Sequence, residues 1–316
     1  RAQHAAAFGA VAFRKIGDDL PDTVTSLKKR NKAAREGQGS LFGGSVAANL
    51  APIAAAVEDL DALPDIDVAS VAAKARRWTE LVASPDYQAA VHAADTWCAA
   101  FVAEKTPNSP TVTHEEFDTA QHQPTNVGPA VRAIVVQLAD QYAFLHWHLA
   151  FPDVFASRGG FDLVLGNPPW EKVQFSEKEF FASRAPEVSK LAGAKRKAAI
   201  EKIQVDDPAL WSEYRLSLRK ADCESHFIRS SGRYPLCGRG KVNTYAIFAE
   251  AMRDVLGPVG RLGVIVPTGI ATDDTTKHFF ADIVNRRQLA SLYDFENAVG
   301  MFQGVGHGRF KFSLLT

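Results

Sequence analysis

Cysteine is scarce in this 316-residue chain, with three in all. Three thiols cannot build the paired framework of a small secreted protein, and they point to a reducing, cytoplasmic setting. Neither sign of charge is in excess, since 36 Lys+Arg stand against 36 Asp+Glu. That excludes a chain that holds nucleic acid by its overall charge and leaves room only for a local basic face. No apolar run approaches the roughly 18 residues of a membrane span. The N-terminal stretch, interrupted by His4, Arg14 and Lys15, lacks a signal-peptide core. Also missing are the phosphate loop G-x-x-x-x-G-K-[ST] and the nucleophile elbow G-x-S-x-G. Residue 1 is arginine rather than methionine.

What is present divides by texture. Residues 1–127 read as helical pieces joined by linkers. The spacing of apolar residues predicts helices over 46–61, 67–83 and 87–103, a polar surface loop over 106–126, and one helix over 129–150 opened by Pro129. From residue 160 the pattern changes to α/β. Phe161-Asp162-Leu163-Val164-Leu165-Gly166 is a short apolar run that suits a buried parallel strand. A polar stretch follows to about 240. Then come a helix at 243–256, a Gly-Pro turn, strands at 261–267 and 288–294 around a helix at 274–286, and an alternating segment at 310–316. Such alternation builds an open sheet with right-handed crossovers, whose sites lie at the carboxyl ends of its strands. The chain is therefore expected to hold a helical region (1–127) and an α/β domain (128–316) with an insert at about 171–240. The insert carries 14 basic and 10 acidic residues.

Asn167-Pro168-Pro169-Trp170 follows the first strand directly. Two prolines remove two backbone donors and fix two φ angles, and Pro168 holds Asn167 out of the α region. The result is a stiff extended loop with outward carbonyls. The Asn167 amide oxygen and the Pro168 carbonyl then form two acceptors at a fixed spacing, a match for an amino group with two hydrogens. Trp170 supplies a face for the flat ring that carries the amine. Such base–aromatic stacking is worth roughly 1–3 kcal/mol, comparable to the few kcal/mol that extruding a base costs.

The run FDLVLGNPPW at 161–170 resembles the catalytic motif of S-adenosylmethionine-dependent amino-methyltransferases, in particular N6-adenine DNA methyltransferases. The segments 94–101, 146–155 and 159–160 are similar to large type IIG restriction–modification and related phage-defence enzymes, as are Gly238–Gly240, Asn243-Thr244-Tyr245, 260–276 and 292–297. The resemblance runs over roughly 87–316 and implies a partial Rossmann-like methyltransferase sheet. It implies that Asn167 and Pro168 accept the adenine N6 hydrogens, with Pro169 stiffening the loop and Trp170 stacking on the flipped base. N6 then attacks the sulfonium methyl and loses its proton only after becoming cationic, so orientation and electrostatics do most of the work. By resemblance, Phe302, with Phe310 second, touches the base edge. Asp162 and Gly166 border the cofactor, Arg229, Arg233 and Arg239 meet the backbone of double-stranded DNA, and other restriction or defence subunits are partners.

The family's glycine loop for the methyl donor has no good match. Gly37–Ser45 contains glycines, but a basic run and not an apolar strand precedes it. No target-recognition domain follows the last strand, and no lysine stands two residues after Asp or Glu, which excludes a standard PD…(D/E)-x-K nuclease. The chain reads as a piece: the target-base half of a larger enzyme. Cys223, His226 and Cys237 lack the fourth ligand of a structural zinc site. His146 and His148 suit packing or hydrogen bonding, and Lys28–Arg35 a solvated run. Two rival readings stay open: methylation of protein glutamine or RNA guanine, and a DNA-binding or scaffold module that keeps the base pocket without transferring methyl.

Overall fold

The computed structural model describes residues 13–37, 46–298 and 311–316. The N-terminal part is helical: α1 (Pro21–Gly37), α2 (Val46–Asp61), α3 (Val68–Val82) and α4 (Pro85–Val102). Asp67 and Ser84 cap α3 and α4 by accepting main-chain N–H bonds from Ser70 and Tyr87. The predicted loop over 106–126 instead contains α5 (His114–His122). The reason is local. Thr113 and Glu116 form a capping box, in which the Glu116 carboxylate accepts the Thr113 N–H at 2.7 Å.

The predicted helix over 129–150 is also two elements, α6 (Pro129–Tyr142) and α7 (Trp147–Ala150), because Ala143 takes a left-handed conformation with φ 52°. A buried cluster joins Phe13, Ile16, Val24, Leu27, Phe101, Val135, Leu138 and Cys223. Residues from both sides of position 127 thus share one core, and the insert contributes Cys223 to it. The insert itself is α8 (Glu177–Arg184), α9 (Pro186–Ser189), α10 (Gly193–Asp206) and α11 (Pro208–Ser230). It holds an aromatic core of its own around Phe180, Phe181, Ile200 and Tyr214.

Among the described residues the sheet has four strands: β1 (Phe161–Gly166), β2 (Leu256–Pro267), β3 (Leu292–Glu296) and β4 (Lys311–Leu315), in the order β1-β2-β4-β3. β1 and β2 are parallel, and β4 lies antiparallel between β2 and β3. Helices α12 (Thr244–Asp254), α13 (Gly269–Thr272) and α14 (Lys277–Asn285) complete the unit. This mixed sheet fits a partial Rossmann-like fold. The Gly-Pro turn expected at 257–258 is instead the start of β2, where the register slips between Phe161↔Leu256 and Leu163↔Arg261. A Cβ on Gly260 would lie 2.5 Å from the Phe161 carbonyl oxygen, so this close crossing requires glycine.

One sheet face is covered: Val264, Val266 and Leu315 pack with Tyr245, Ala249, Phe279 and Ile283. The other is less so. β1 is parallel as expected but is not the buried strand its apolar run suggests: Leu163 is 57% and Leu165 70% exposed, as is Tyr293 at 62%, because the helices of this unit pack on the opposite face. No helix among the described residues is long and apolar enough to cross a membrane.

Candidate functional site

β1 delivers the chain to the sheet's carboxyl edge at Gly166, and the Asn-Pro-Pro-Trp loop begins there. Asn167 and Pro169 are exposed, Pro168 is buried and Trp170 is half-buried against the core of the covered face. The loop is thus anchored by alternate residues and offers Asn167 outward. Gly166 has a packing reason to be glycine, since a Cβ there would lie 2.6 Å from Met252 Cε.

Beyond Trp170 the chain is tied to the segment that leads into α12. Val173 donates its N–H to the Val242 carbonyl (3.0 Å), Thr244 donates to the Glu171 carbonyl (2.8 Å), and Lys172 and Asn243 form an isolated antiparallel bridge. The Thr244 hydroxyl donates to the Pro169 carbonyl at 2.6 Å and accepts the Glu171 N–H at 2.9 Å. The neighbouring loop 231–240 is held by Glu250, whose carboxylate accepts the N–H groups of Leu236 (3.0 Å) and Cys237 (2.8 Å). Gly238 lies so close to the carbonyls of Ile228 and Tyr234 that a Cβ would meet both at 2.6 Å. Tyr245, the residue after Thr244, has its phenol pushed up to about 12 by burial and by Asp273, so it stays neutral.

The three arginines differ. Arg239 is exposed, Arg233 is half-buried, and Arg229 donates to the Gly240 carbonyl at 2.8 Å and to Ser225 at 3.2 Å. Arg229 therefore shapes the loop that carries Arg239. Asp162 pairs with Arg158 at 3.0 Å on the exposed side of β1. Phe302 and Phe310 lie outside the described residues, as does Gly39–Ser45 apart from its lead-in helix. The His146 imidazole donates its Nε2–H to the Asp95 carboxylate at 2.8 Å, tying the approach to β1 onto α4. Cys223 and Cys237 are buried thiols raised by desolvation, and no metal-binding cluster occurs among the described residues.

Residues 65–202 match the family model of the Eco57I restriction-modification methylase. No curated protein and no solved structure matches the chain. The matched stretch contains β1 and the whole Asn-Pro-Pro-Trp loop, and the likeness to restriction–modification methylases holds there. It starts some twenty residues before the point at which the sequence motifs make the resemblance legible.

S-adenosylmethionine is the donor such a methylase implies. The described residues do not fit it well. Asp162 is engaged by Arg158, Gly166 lies under Met252, and no glycine cradle follows an apolar strand among them.

Proposed function

We propose that this chain captures an adenine flipped out of duplex DNA and presents its N6 amine for methylation, with S-adenosylmethionine as the methyl source, within a restriction–modification or phage-defence system. The observation that carries this reading is the loop itself. Asn167 stands exposed at the carboxyl end of a parallel strand, just ahead of a buried Pro168 and of Trp170, which is half-buried against the core. The Asn167 amide oxygen and the Pro168 carbonyl accept the two N6 hydrogens. Both acceptors are neutral, so they orient the amine and concentrate electron density on its nitrogen without removing a proton in advance. Trp170 stacks on the ring, and Phe302 or Phe310 closes the base edge. Arg239 reaches a DNA phosphate, with Arg233 behind it and Arg229 setting the loop.

A second reading has a specific observation in its favour. The described residues lack a donor cradle, which suits a DNA-binding or scaffold module that retains the base pocket. Transfer of labelled methyl from S-adenosylmethionine to unmethylated phage DNA separates the two, using the longest native polypeptide that contains this chain and its Asn167→Ala variant. Transfer lost in the variant, with DNA binding intact, supports the enzyme. DNA binding without transfer in either protein supports the module. Label in protein or RNA in place of DNA sinks the adenine reading.

A further inference from the structure

Trp170 is the residue whose orientation decides whether a base can stack, and neither proline reaches it. Pro168 and Pro169 fix their own φ angles and restrict only the residue before each, so neither constrains Trp170 after them. The peptide units on the two sides of Trp170 are held from elsewhere. The Pro169 carbonyl, on one side, receives the Thr244 hydroxyl at 2.6 Å; the Glu171 N–H, on the other, donates to the same oxygen at 2.9 Å. The Glu171 carbonyl also lies 3.2 Å from that hydroxyl, but its bond comes from the Thr244 N–H at 2.8 Å. One side chain therefore spans both peptides that flank Trp170, across 74 positions of sequence (244 − 170).

Thr244 is suited to this. It is the first residue of α12, where backbone N–H groups have no partner inside the helix, and its N–H goes to Glu171 instead. Its β-branched side chain has few rotamers, so the hydroxyl is held at low entropic cost. The helix behind it is seated in the core through Tyr245, Ala246 and Ala249.

We infer that Thr244 is a positioning residue that sets the backbone of Trp170, and with it the face offered to the target base. This rests on the base-capture reading above. The hydroxyl does the work, so Thr244→Val, which keeps the shape and removes the hydroxyl, is the informative change. Thr244→Ser, which restores the hydroxyl, is the rescue.

Two measurements on the full chain test it. Single-stranded oligo(dA) offers adenines that need no flipping. The part of its tryptophan-fluorescence quench that disappears in Trp170→Phe reports stacking on Trp170. Hydrogen exchange at the Glu171 amide reports the tether. Thr244→Val should raise the apparent Kd of the Trp170-dependent quench about tenfold, within the range of a lost base–aromatic stack, and should expose the Glu171 amide. Thr244→Ser should bring both back to within about twofold, a recovery that loss of general stability would not give. A wild-type quench in Thr244→Val despite an exposed amide overturns the proposal, and so does unchanged protection of Glu171. A wild-type chain with no Trp170-dependent quench, whose Glu171 protection still depends on Thr244, overturns it through the base-capture reading and leaves the tether standing as structure alone.

Discussion

The Glu250 carboxylate accepts the main-chain N–H of Cys237 at 2.8 Å, and only 1% of the residue is exposed. A second N–H, from Leu236, reaches its other oxygen at 3.0 Å. This is how α12 grips the loop that ends in Arg239. Glu250→Ala strands two buried donors and should cost roughly 3 kcal/mol, since each buried unsatisfied group costs about 1–3 kcal/mol. Burial raises the Glu250 pKa above its ordinary 4.5, against the opposing pull of the two N–H bonds. With a raised folded value, the stability tied to this group is fully present below the unfolded pKa and is lost as pH rises through the folded one. Glu250→Gln cannot titrate. Thermal melts against pH should therefore show the wild type gaining on Glu250→Gln as pH falls towards 4.5, and a gap that stays constant would refute the assignment.

How much of this was legible in the sequence depends on how local the cause is. The stiffness of Asn167–Pro169 follows from proline chemistry and the existence of the strand before it from its apolar run, but the burial expected of that strand was not readable, since it depends on what covers the sheet face at Leu163 and Leu165. α5 was missed although its signal was present, because the capping pair Thr113 and Glu116 sits in a polar stretch without apolar periodicity. The break at Ala143 has no sequence mark, since alanine rarely adopts a left-handed conformation. Gly257 and Pro258 suggest a turn locally, but pairing with β1 draws them into a strand. The Thr244 tether could not be read at all: it joins residues about seventy positions apart that only the sheet brings together.

Asp19 lies at the meeting point of three segments. Its carboxylate accepts N–H bonds from Ile16 (3.1 Å), Lys105 (3.0 Å) and the Arg219 guanidinium (3.1 Å), with the Lys105 ammonium 3.7 Å away. The Asp19 side chain is fully buried, whereas Arg219 is 15% exposed. Removing one partner of a buried pair costs about 3–5 kcal/mol because the other charge is left uncompensated. Asp19→Ala leaves the buried Lys105 without its anion and Arg219 with only Glu104 at 3.8 Å, and Arg219→Met leaves Asp19 with Lys105. In urea unfolding, Asp19→Ala should be the more destabilising of the two. The reverse order would mean that Arg219 acts mainly through its bonds to the Ile16 and Val102 carbonyls.

Leu165 and Tyr293 stand on opposite edge strands of one sheet and are 70% and 62% exposed. Their side chains lie on the sheet face opposite the covered one, and exposed apolar side chains of this kind favour association. The chain should therefore self-associate at high concentration. Leu165→Lys should shift that equilibrium towards the monomer with little cost, since exposed substitutions usually stay within about 0.5 kcal/mol. Sedimentation velocity across a concentration series measures it. An unchanged association constant would place the sticky surface elsewhere, for example at Ile66 and Val68, both 88% exposed.

Asn167 and Trp170 belong to one loop, yet their exposures differ, and this separates function from stability. Asn167 is exposed, so Asn167→Ala should leave the melting temperature within about a degree or two, consistent with a surface change of under roughly 0.5 kcal/mol. If its amide oxygen holds the reacting amine, methyl transfer should fall by about 10²–10³, the usual loss when one preorganised hydrogen-bonding group is removed at a reacting centre. Trp170 is half-buried against the sheet core, so Trp170→Ala should lower the melting temperature and base capture together. Trp170→Phe keeps a ring in both roles and should fall between wild type and alanine in each. Melting and transfer measured on the three variants decide it. Transfer that tracks stability across all three would reduce the loop to a structural element, whereas loss at Asn167 without loss of stability leaves chemistry as the explanation.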